Sequence, residues 1–302
     1  MSDNKATYQN AIEIRNLTKN YGKHRGVQDL HLEVAAGDIF GFLGPNGAGK
    51  STTIRCMLGM LRFGQGEIRL LGKDCVGRDR HAEGDHKSSR PGHLMGRQWR
   101  ELMNQVGYMP SEAAFYPGMK VRDVIRFAAR CRQKDCSREA DRLCGILEVE
   151  GDKRVEELSL GNRKKVSIVC AMQHEPKLLI LDEPTSGLDP LMQDAFWGLV
   201  SEYNSRGTTC FLSSHVLSEV KQYCRNAAVI REGRLIRADS VENLCRSNLR
   251  KVRMWEDGKE TAFSHTGTVE ELLHRLEGRR LEDLLIEEPS LEEVFMHYFR
   301  EE

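Results

Sequence analysis

The sequence predicts an α/β fold in which a mostly parallel sheet is flanked by helices, with a small α+β extension at the C-terminal end. Two nearly continuous apolar runs, Ile39–Leu43 and Lys177–Leu181, have the length and composition of strands buried on both faces. Strand-like segments alternate with segments of helical apolar spacing up to about residue 231. This alternation is typical of a parallel sheet covered by helices.

The predicted elements follow one another in a regular order. Ala11–Ile14 and Leu30–Val34 alternate apolar and polar residues, which predicts two strands before the first buried run. A glycine-rich stretch follows that run, and apolar residues at helical spacing then predict a helix from Thr52 to Met60. The later predictions are helices Lys120–Arg132, Ser137–Glu148, Gly161–His174 and Pro190–Asn204, and strands Lys177–Leu181, Thr208–Ser213 and Ala227–Arg231, with one more helix between the last two strands.

Residues 72–96 differ in composition from their surroundings. Charged residues, Gly, His and Ser dominate there, which predicts a surface insertion. The stretch contains His81, His86 and His93, but their spacing matches no metal-ligand pattern. A solvated loop is therefore favoured over a metal site.

The sequence becomes more polar after about residue 238. We therefore expect a larger domain over residues 1–238 and a small extension over residues 239–302. The extension ends in two amphipathic segments, Thr268–Leu276 and Ser290–Tyr298.

Composition excludes several classes of protein. Lysine plus arginine and aspartate plus glutamate each number 45 in 302 residues, and this zero net charge disfavours a nucleic-acid partner. The nine cysteines include no C-x-x-C pair, which favours reduced thiols over a disulfide or zinc framework. The polar start resembles no secretory signal, and no apolar run approaches the roughly 20 residues that cross a bilayer. Work at a membrane would then require a membrane-spanning partner.

Gly44–Ser51 has the pattern G-x-x-x-x-G-K-S between a buried strand and a helix. In such a loop, backbone N–H groups surround phosphates, the lysine adds positive charge and the serine hydroxyl can ligate Mg²⁺. Average residue usage gives a chance match on the order of once in a hundred chains of this length. The expected nucleotide-binding residues of this segment are Asn46, Gly47, Ala48, Gly49, Lys50, Ser51 and Thr52.

An acidic pair, Asp182 and Glu183, directly follows the second buried run. A magnesium nucleotide needs a carboxylate at the end of a strand next to the phosphate loop, and Asp182 has that position. Glu183 lies one residue further on, where it can polarise an attacking water or accept its proton. Ser51 and Asp182 are thus the candidate metal ligands, and Lys50 and Glu183 are candidate catalytic residues.

With these motifs in place, the sequence resembles the nucleotide-binding subunits of ABC transporters. Leu158–Asn162 is similar to the signature motif of that family, although Leu160 and Asn162 replace its commoner Gly and Gln. Ser186–Asp189 resembles the loop that crosses to the partner subunit, and Ser213–His215 resembles the motif that carries the switch histidine.

The resemblance covers about residues 11 to 240, with six motifs in the order of the family. It implies a P-loop NTPase cassette with a RecA-like parallel-sheet core, an antiparallel β subdomain and a helical subdomain at about residues 112–175. It also implies binding and hydrolysis of ATP with Mg²⁺. Besides the phosphate loop, the nucleotide-contacting residues that it implies are Tyr21, Ser159, Gly161, Asn162, Asp189 and His215.

In the family, the signature serine and glycine contact ATP that is bound to the opposite subunit. The resemblance therefore implies two partners, a membrane-spanning permease and a second nucleotide-binding subunit, and a peripheral location on the cytoplasmic face of the membrane. Tyr21 would stack on adenine, and His215 would contact the γ-phosphate as a third catalytic residue. A homodimer is expected because this chain carries both Glu183 and a signature, although a heterodimer stays open.

One position departs from the family pattern. After Val106–Pro110 the family usually has a glutamine that contacts Mg²⁺, whereas this sequence has Ser111 followed by Glu112. Serine is too short to replace glutamine directly, so either Glu112 takes its place or water bridges the gap. The next segment, Phe115–Pro117, together with the helix after it, is where the family receives the cytoplasmic helix of the membrane partner.

The leading functional hypothesis is the ATPase subunit of an exporter for a drug, peptide or lipid-like compound. The tail Glu287–Phe295 supports it, because it resembles the C-terminal extension of bacterial exporter ATPases. The alternative is a soluble ATPase of the same family that acts on ribosomes or DNA, and a third hypothesis is ATP binding for regulation. The transported compound is not encoded in these motifs.

Overall fold

The protein is described by a computed structural model over residues 8–22, 24–75, 96–245 and 249–287. The strands, in chain order, are β1 Asn10–Tyr21, β2 His24–Ala35, β3 Ile39–Leu43, β4 Gln65–Leu70, β5 Lys73–Cys75, β6 Val106–Met109, β7 Leu178–Asp182, β8 Thr209–Ser214, β9 Asn226–Arg231, β10 Arg234–Ser240, β11 Leu249–Glu256, β12 Lys259–Thr266 and β13 Asp283–Glu287. The helices are α1 Lys50–Met57, α2 Arg97–Met103, α3 Val121–Cys131, α4 Ser137–Ile146, α5 Leu160–Met172, α6 Pro190–Ser205, α7 Leu217–Tyr223, α8 Val241–Cys245 and α9 Val269–Leu276, with a 3₁₀ turn at Val155–Glu157.

The central sheet has the strand order β10-β9-β3-β8-β7-β6. Its strands from β9 to β6 are parallel, and β10 is added antiparallel at one edge. The order places β8 between β3 and β7, so the carboxyl ends of these three strands lie side by side. This confirms the predicted α/β fold with a mostly parallel sheet.

The two buried strands β3 and β7 separate two hydrophobic cores. Side chains alternate between the faces of a strand, so Ile39 and Leu43 of β3 contribute to one core while Phe40 and Phe42 contribute to the other. The first core includes residues of α3 to α7, and the second includes α1 and the strands β1, β2 and β4. Because both faces are covered, the runs that form β3 and β7 contain no polar residue before Asp182.

The second sheet is antiparallel, with the order β2-β1-β4-β5. It corresponds to the antiparallel β subdomain that the resemblance implies. The predicted strand Ala11–Ile14 lies at the start of the much longer β1, and Leu30–Val34 lies at the end of β2. The register of the pair shifts several times along its length. These irregularities interrupt the alternation of apolar and polar residues, which is why the sequence pattern revealed only part of each strand.

The C-terminal part forms a third sheet with the order β12-β11-β13. Val252 and Met254 of β11 pack against Leu272 and Leu276 of α9 in a small core of their own. Thr268 begins α9 with a capping box, because its hydroxyl accepts from Glu271 N while Glu271 Oε2 accepts from Thr268 N.

Several expectations differ from the structure or lie outside its described residues. The short elements α2, β4, β5 and β6 were not predicted from the sequence. Strand β10 crosses residue 238, and Val241 and Leu244 after it belong to the first core, so the division at residue 238 stays a prediction. The three insertion histidines and the segment Ser290–Tyr298 lie outside the described residues. Within the described ranges, every helix is too short or too polar to cross a bilayer.

Candidate active site

The loop between β3 and α1 depends on glycine at three positions. A Cβ on Gly44 would lie 2.4 Å from the carbonyl oxygen of Ile230, so only glycine permits this approach to β9. Gly47 and Gly49 have φ angles of 81° and 106°, in the region that other residues rarely adopt. The loop therefore wraps back towards the start of α1, with Asn46 exposed and Ala48 buried.

Lys50 is the first residue of α1 and its side chain is only 5% exposed. Its ammonium donates to the carbonyl oxygens of Gly44, at 2.7 Å, and of Pro45, at 3.2 Å. The Nζ atom also lies 3.6 Å from Glu183 Oε1. Burial lowers the pKa of Lys50, and the carboxylates of Glu183 and Asp182 oppose that shift. The charged form of Lys50 is thus stabilised by carbonyl groups of the loop on one side and by the carboxylates of Glu183 and Asp182 on the other.

Asp182 ends β7 and is buried. It pairs in register with Ser213 of β8, whose hydroxyl donates to Asp182 Oδ1 at 2.5 Å. A buried carboxylate needs such partners because water no longer solvates it. The hydrogen bond from the neighbouring strand fixes the direction of the Asp182 side chain.

Glu183 follows with a φ angle of 49°, an unusual conformation for a residue with a side chain. Its backbone N–H lies 3.1 Å from Ser213 O and 3.2 Å from Ser213 Oγ. Its carboxylate oxygen Oε1 faces Lys50 and lies 3.4 Å from Nδ1 of the half-exposed His215. Lys50, Glu183 and His215 thus converge from just beyond three neighbouring strands, β3, β7 and β8.

Tyr21 and the first residues of α1 form a second side of this site. The Tyr21 hydroxyl lies 3.4 Å from Thr52 Oγ1, and its ring is 43% exposed. The Lys19 ammonium lies 5.3 Å from the centre of the same ring. An exposed aromatic face therefore stands beside the helix that begins at the phosphate loop, while Ser51 and Thr52 are half-buried.

Ser159, Gly161 and Asn162 lie together at the start of α5, which packs against the loop before α6. Ser159 begins α5, and its hydroxyl accepts from Asn162 N at 3.3 Å. A Cβ on Gly161 would lie 2.8 Å from Gly187 O, so glycine allows the contact between α5 and that loop. Asp189 caps α6 in the same way, accepting from Met192 N at 3.1 Å.

These four residues of α5 and the α6 loop do not join the phosphate-loop cluster. Within the described parts of the chain, they make no hydrogen bond or ion pair with Lys50, Glu183 or His215. One chain therefore presents two separate groups of the predicted nucleotide-contacting residues.

Two site residues were missed by the sequence reasoning. Ser213 was seen only as a part of the His215 motif, although it contacts both Asp182 and Glu183. Lys164 is buried on α5 and donates to the carbonyl oxygens of Glu183, at 2.5 Å, and of Ser186, at 2.8 Å. Lys164 lies in the polar run Asn162–Lys165, so no local pattern marked it as buried.

Ser111 and Glu112 follow β6 at the same edge of the sheet, because β6 is parallel to β7 and ends beside it. Ser111 is half-buried and Glu112 is exposed. The choice between Glu112 and a water-bridged Ser111 stays open.

Comparisons with known proteins identify the family of this chain. A family model described as "ABC transporter" matches residues 27–186. The chain is similar to the uncharacterized ABC transporter ATP-binding protein YhaQ of Bacillus subtilis (strain 168), at 30% identity over 94% of this chain and 97% of that protein. It is also similar to Nod factor export ATP-binding protein I of Cupriavidus metallidurans, at 33% identity over 74% of this chain and 69% of the relative.

A solved structure described as the ATP-binding subunit of an ABC transporter has a TM-score of 0.69 and 23% identity. The match covers 96% of this chain and 100% of that chain, so the likeness of fold includes the C-terminal sheet.

Proposed function

The chain belongs to the ABC transporter family as one of its ATP-binding subunits, and we propose that it energises export of a compound through a separate membrane-spanning permease. Subunits of this family are ATPases that dimerise and work with membrane components. Export is supported by the similarity to a Nod factor export protein. A separate permease is supported by the near full-length match to a relative that is itself named an ATP-binding protein. Drug, peptide and lipid-like compounds are the candidate cargo.

The observation that carries the catalytic assignment is the convergence of Lys50, Glu183 and His215. Lys50 neutralises phosphate charge, Glu183 polarises the attacking water or accepts its proton, and His215 contacts the γ-phosphate. The phosphate loop supplies backbone N–H groups at the start of α1, a position that favours anions. Tyr21 offers its exposed ring face to the adenine base.

Mg²⁺ fits the oxygen groups at the centre of the site. The Ser51 hydroxyl and the Asp182 carboxylate are hard donors of the kind that Mg²⁺ prefers, and phosphate oxygens and water complete its shell. In the part of the chain that the structure describes, no three His, Cys, Asp or Glu side chains cluster as a metal site.

The second group of nucleotide-contacting residues serves the partner subunit. Ser159, Gly161 and Asn162 lie at a helix start, where a hydroxyl and free N–H groups meet anions well. In a dimer of two copies, these residues of one chain face the phosphate loop of the other, and Asp189 lies in the loop between them. ATP then joins the two subunits, and its hydrolysis releases them.

Contact with the permease falls on the helical part of the cassette, on the cytoplasmic face of the membrane. Tyr116 is 72% exposed and Phe127 of α3 is 50% exposed. Their rings meet edge to face at 6.4 Å, forming one apolar surface.

The assignment is tested with Glu183→Gln, which keeps the size of the side chain but removes its charge and basicity. We expect ATP turnover to fall by roughly 10²-fold or more while ATP binding is retained. Size-exclusion chromatography with ATP and Mg²⁺ should then show an ATP-bound dimer that accumulates because hydrolysis no longer separates the subunits.

Glu219→Gln is the matched control, because Glu219 lies near the end of β8 but contacts Ser214 instead of Lys50. We expect its turnover to stay near that of the wild type. Wild-type turnover in Glu183→Gln would contradict the role assigned to Glu183.

A further inference from the structure

Lys164 is a buried lysine whose ammonium forms no salt bridge with a side chain in the described residues. It lies in the second turn of α5 and is only 3% exposed. Its Nζ atom donates to two carbonyl oxygens, Glu183 O at 2.5 Å and Ser186 O at 2.8 Å. Burial of an ammonium is costly, and here it lowers the pKa of Lys164 against the opposing influence of Glu183, Asp182 and Glu219. Packing alone does not favour a buried ammonium, so these two hydrogen bonds have a further role.

The two carbonyl groups belong to the segment that carries the catalytic carboxylate. Glu183 has a φ angle of 49°, and its backbone N–H is held by Ser213 on β8. Lys164 holds the carbonyl oxygen of the same residue from the opposite element, α5. The unusual backbone conformation of Glu183 is therefore fixed on both sides, and this conformation directs its Oε1 towards Lys50 and His215.

We infer that Lys164 is a positioning residue for ATP hydrolysis, which holds the backbone of Glu183 and Ser186 so that the Glu183 carboxylate faces the phosphate loop. The inference rests on the proposed function, because it requires Glu183 to act on the attacking water. Lys164 acts through Glu183 and does not contact the nucleotide bound to its own subunit.

The same contact joins the two groups of nucleotide-contacting residues within one chain. Lys164 lies three residues after Gly161 on α5, and Ser186 lies three residues before Asp189. A shift of α5 on contact with the nucleotide of the partner subunit is thus transmitted through a hydrogen bond to the backbone of Glu183. The link consists of one ammonium and two carbonyl groups, so a single substitution removes it.

The test compares Lys164→Met with Lys165→Met in the purified full-length chain. Methionine keeps most of the volume of lysine but cannot donate a hydrogen bond. Lys165 is the neighbouring buried lysine of α5, and in the described structure its ammonium makes no hydrogen bond to the Glu183–Asp189 segment. We expect Lys164→Met to lower kcat by about 10- to 100-fold, because small displacements of a catalytic group have effects of this size.

The expected KM for ATP of Lys164→Met stays within about threefold of the wild type, since the phosphate loop and Tyr21 are unchanged. Binding of a fluorescent ATP analogue and the circular dichroism spectrum confirm that the variant is folded. If Lys164→Met does not fold, Lys164→Gln takes its place, because glutamine keeps N–H donors but has a shorter side chain and no charge. It should show a smaller fall in kcat with unchanged KM.

Three outcomes overturn the inference. These are a kcat of Lys164→Met close to the wild-type value, an equal fall in Lys165→Met, or a fall that appears as lost ATP binding. Glu183→Gln, measured in parallel, separates this result from the proposed function. If Glu183→Gln loses turnover and Lys164→Met does not, only the positioning role fails, whereas wild-type turnover in Glu183→Gln removes the basis for both.

Discussion

At Glu183, an unfavourable backbone conformation accompanies the assigned chemical role. A left-handed φ at a residue with a side chain costs on the order of 1 kcal/mol or more. That cost is offset by hydrogen bonds from Lys164 to its carbonyl oxygen and from its N–H to Ser213. With a more ordinary backbone, the carboxylate would not point from the end of β7 towards the end of β3.

Ser213 has a matching role for Asp182, and its removal gives a testable prediction. We expect Ser213→Ala to raise the Mg²⁺ concentration for half-maximal turnover about tenfold or more, because the hydroxyl that orients the carboxylate is lost. The buried Asp182 loses a hydrogen bond, so stability should fall by about 1–3 kcal/mol. Mg²⁺ titrations of ATP turnover and urea unfolding measure the two effects.

Ser201→Ala on α6 serves as the control, because Ser201 is an exposed serine on a helix, whereas Ser213 is buried in a strand. Its Mg²⁺ dependence and unfolding should match the wild type. An unchanged Mg²⁺ requirement in Ser213→Ala would show that Asp182 is oriented without this hydroxyl.

The chemistry of individual residues was largely predictable where it depends on local sequence. Lys50, Asp182 and Glu183 follow buried strands within a few residues, and a motif marks each of them. The contacts of Lys164 were not predictable, because they depend on how α5 packs against a loop that lies about twenty residues later. The Ser213 contact similarly requires that β8 lie next to β7, which no local pattern specifies.

At the scale of the elements, the phosphate loop is hydrogen-bonded to the turn between β9 and β10. Gly233 N donates to Ala48 O at 2.9 Å, and Gly233 O accepts from Gln28 N of β2 at 2.8 Å. A Cβ on Gly233 would lie 2.3 Å from Gly26 O, so glycine is required where these backbones cross. Contacts from the central sheet and from the antiparallel sheet thus hold the phosphate loop in place.

The C-terminal sheet and α9 have a core of their own, which predicts local unfolding on substitution. Leu272→Ala removes a fully buried side chain from that core, a change that typically costs about 2–5 kcal/mol. We expect amide hydrogens of α9 and β11–β13 to exchange much faster, while the central sheet keeps its protection and ATP binding is unchanged. Hydrogen exchange read by mass spectrometry resolves the two regions.

Leu273→Ala is a close control, because the adjacent Leu273 on α9 is 52% exposed. Exchange in this variant should resemble the wild type. Faster exchange across the central sheet in Leu272→Ala would show that the extension and the cassette unfold together, against the predicted division of the chain.

Long helices and strands with a clear hydrophobic period were predicted well, whereas short or irregular ones were not. The helices α3 to α6 begin and end within about two residues of their predicted bounds. Strands β5 and β6 have three and four residues, too few for a period to appear, and α2 lies beside the compositionally biased insertion. The C-terminal strands were recognised only as part of an α+β extension, because β12 has only two side chains that are not exposed and therefore shows no clear alternation.

At the scale of the whole molecule, we predict that one chain is insufficient for hydrolysis, because the candidate nucleotide-contacting residues form two separate groups. Lys50, Glu183 and His215 meet at the strand ends, whereas Ser159 and Gly161 lie on α5 and contact the loop at Gly187. In the proposed symmetric dimer, the second group of each subunit meets the first group of its partner. Both active sites are then shared, each drawing Lys50 from one chain and Ser159 from the other.

Mixed dimers test this shared-site arrangement directly. Lys50→Ala removes the phosphate-loop charge, and Ser159→Asp keeps a good helix cap while placing a negative charge towards the partner's γ-phosphate, so each variant alone should be inactive. Co-expression with different tags yields mixed dimers that retain one intact site. One of the two sites in every purified mixed dimer is intact, so these dimers should show about half of wild-type turnover. Pairing Lys50→Ala with a chain that carries both changes leaves no intact site and is the matched control. Absence of recovered turnover in purified mixed dimers that still bind ATP would show that each site lies within a single chain.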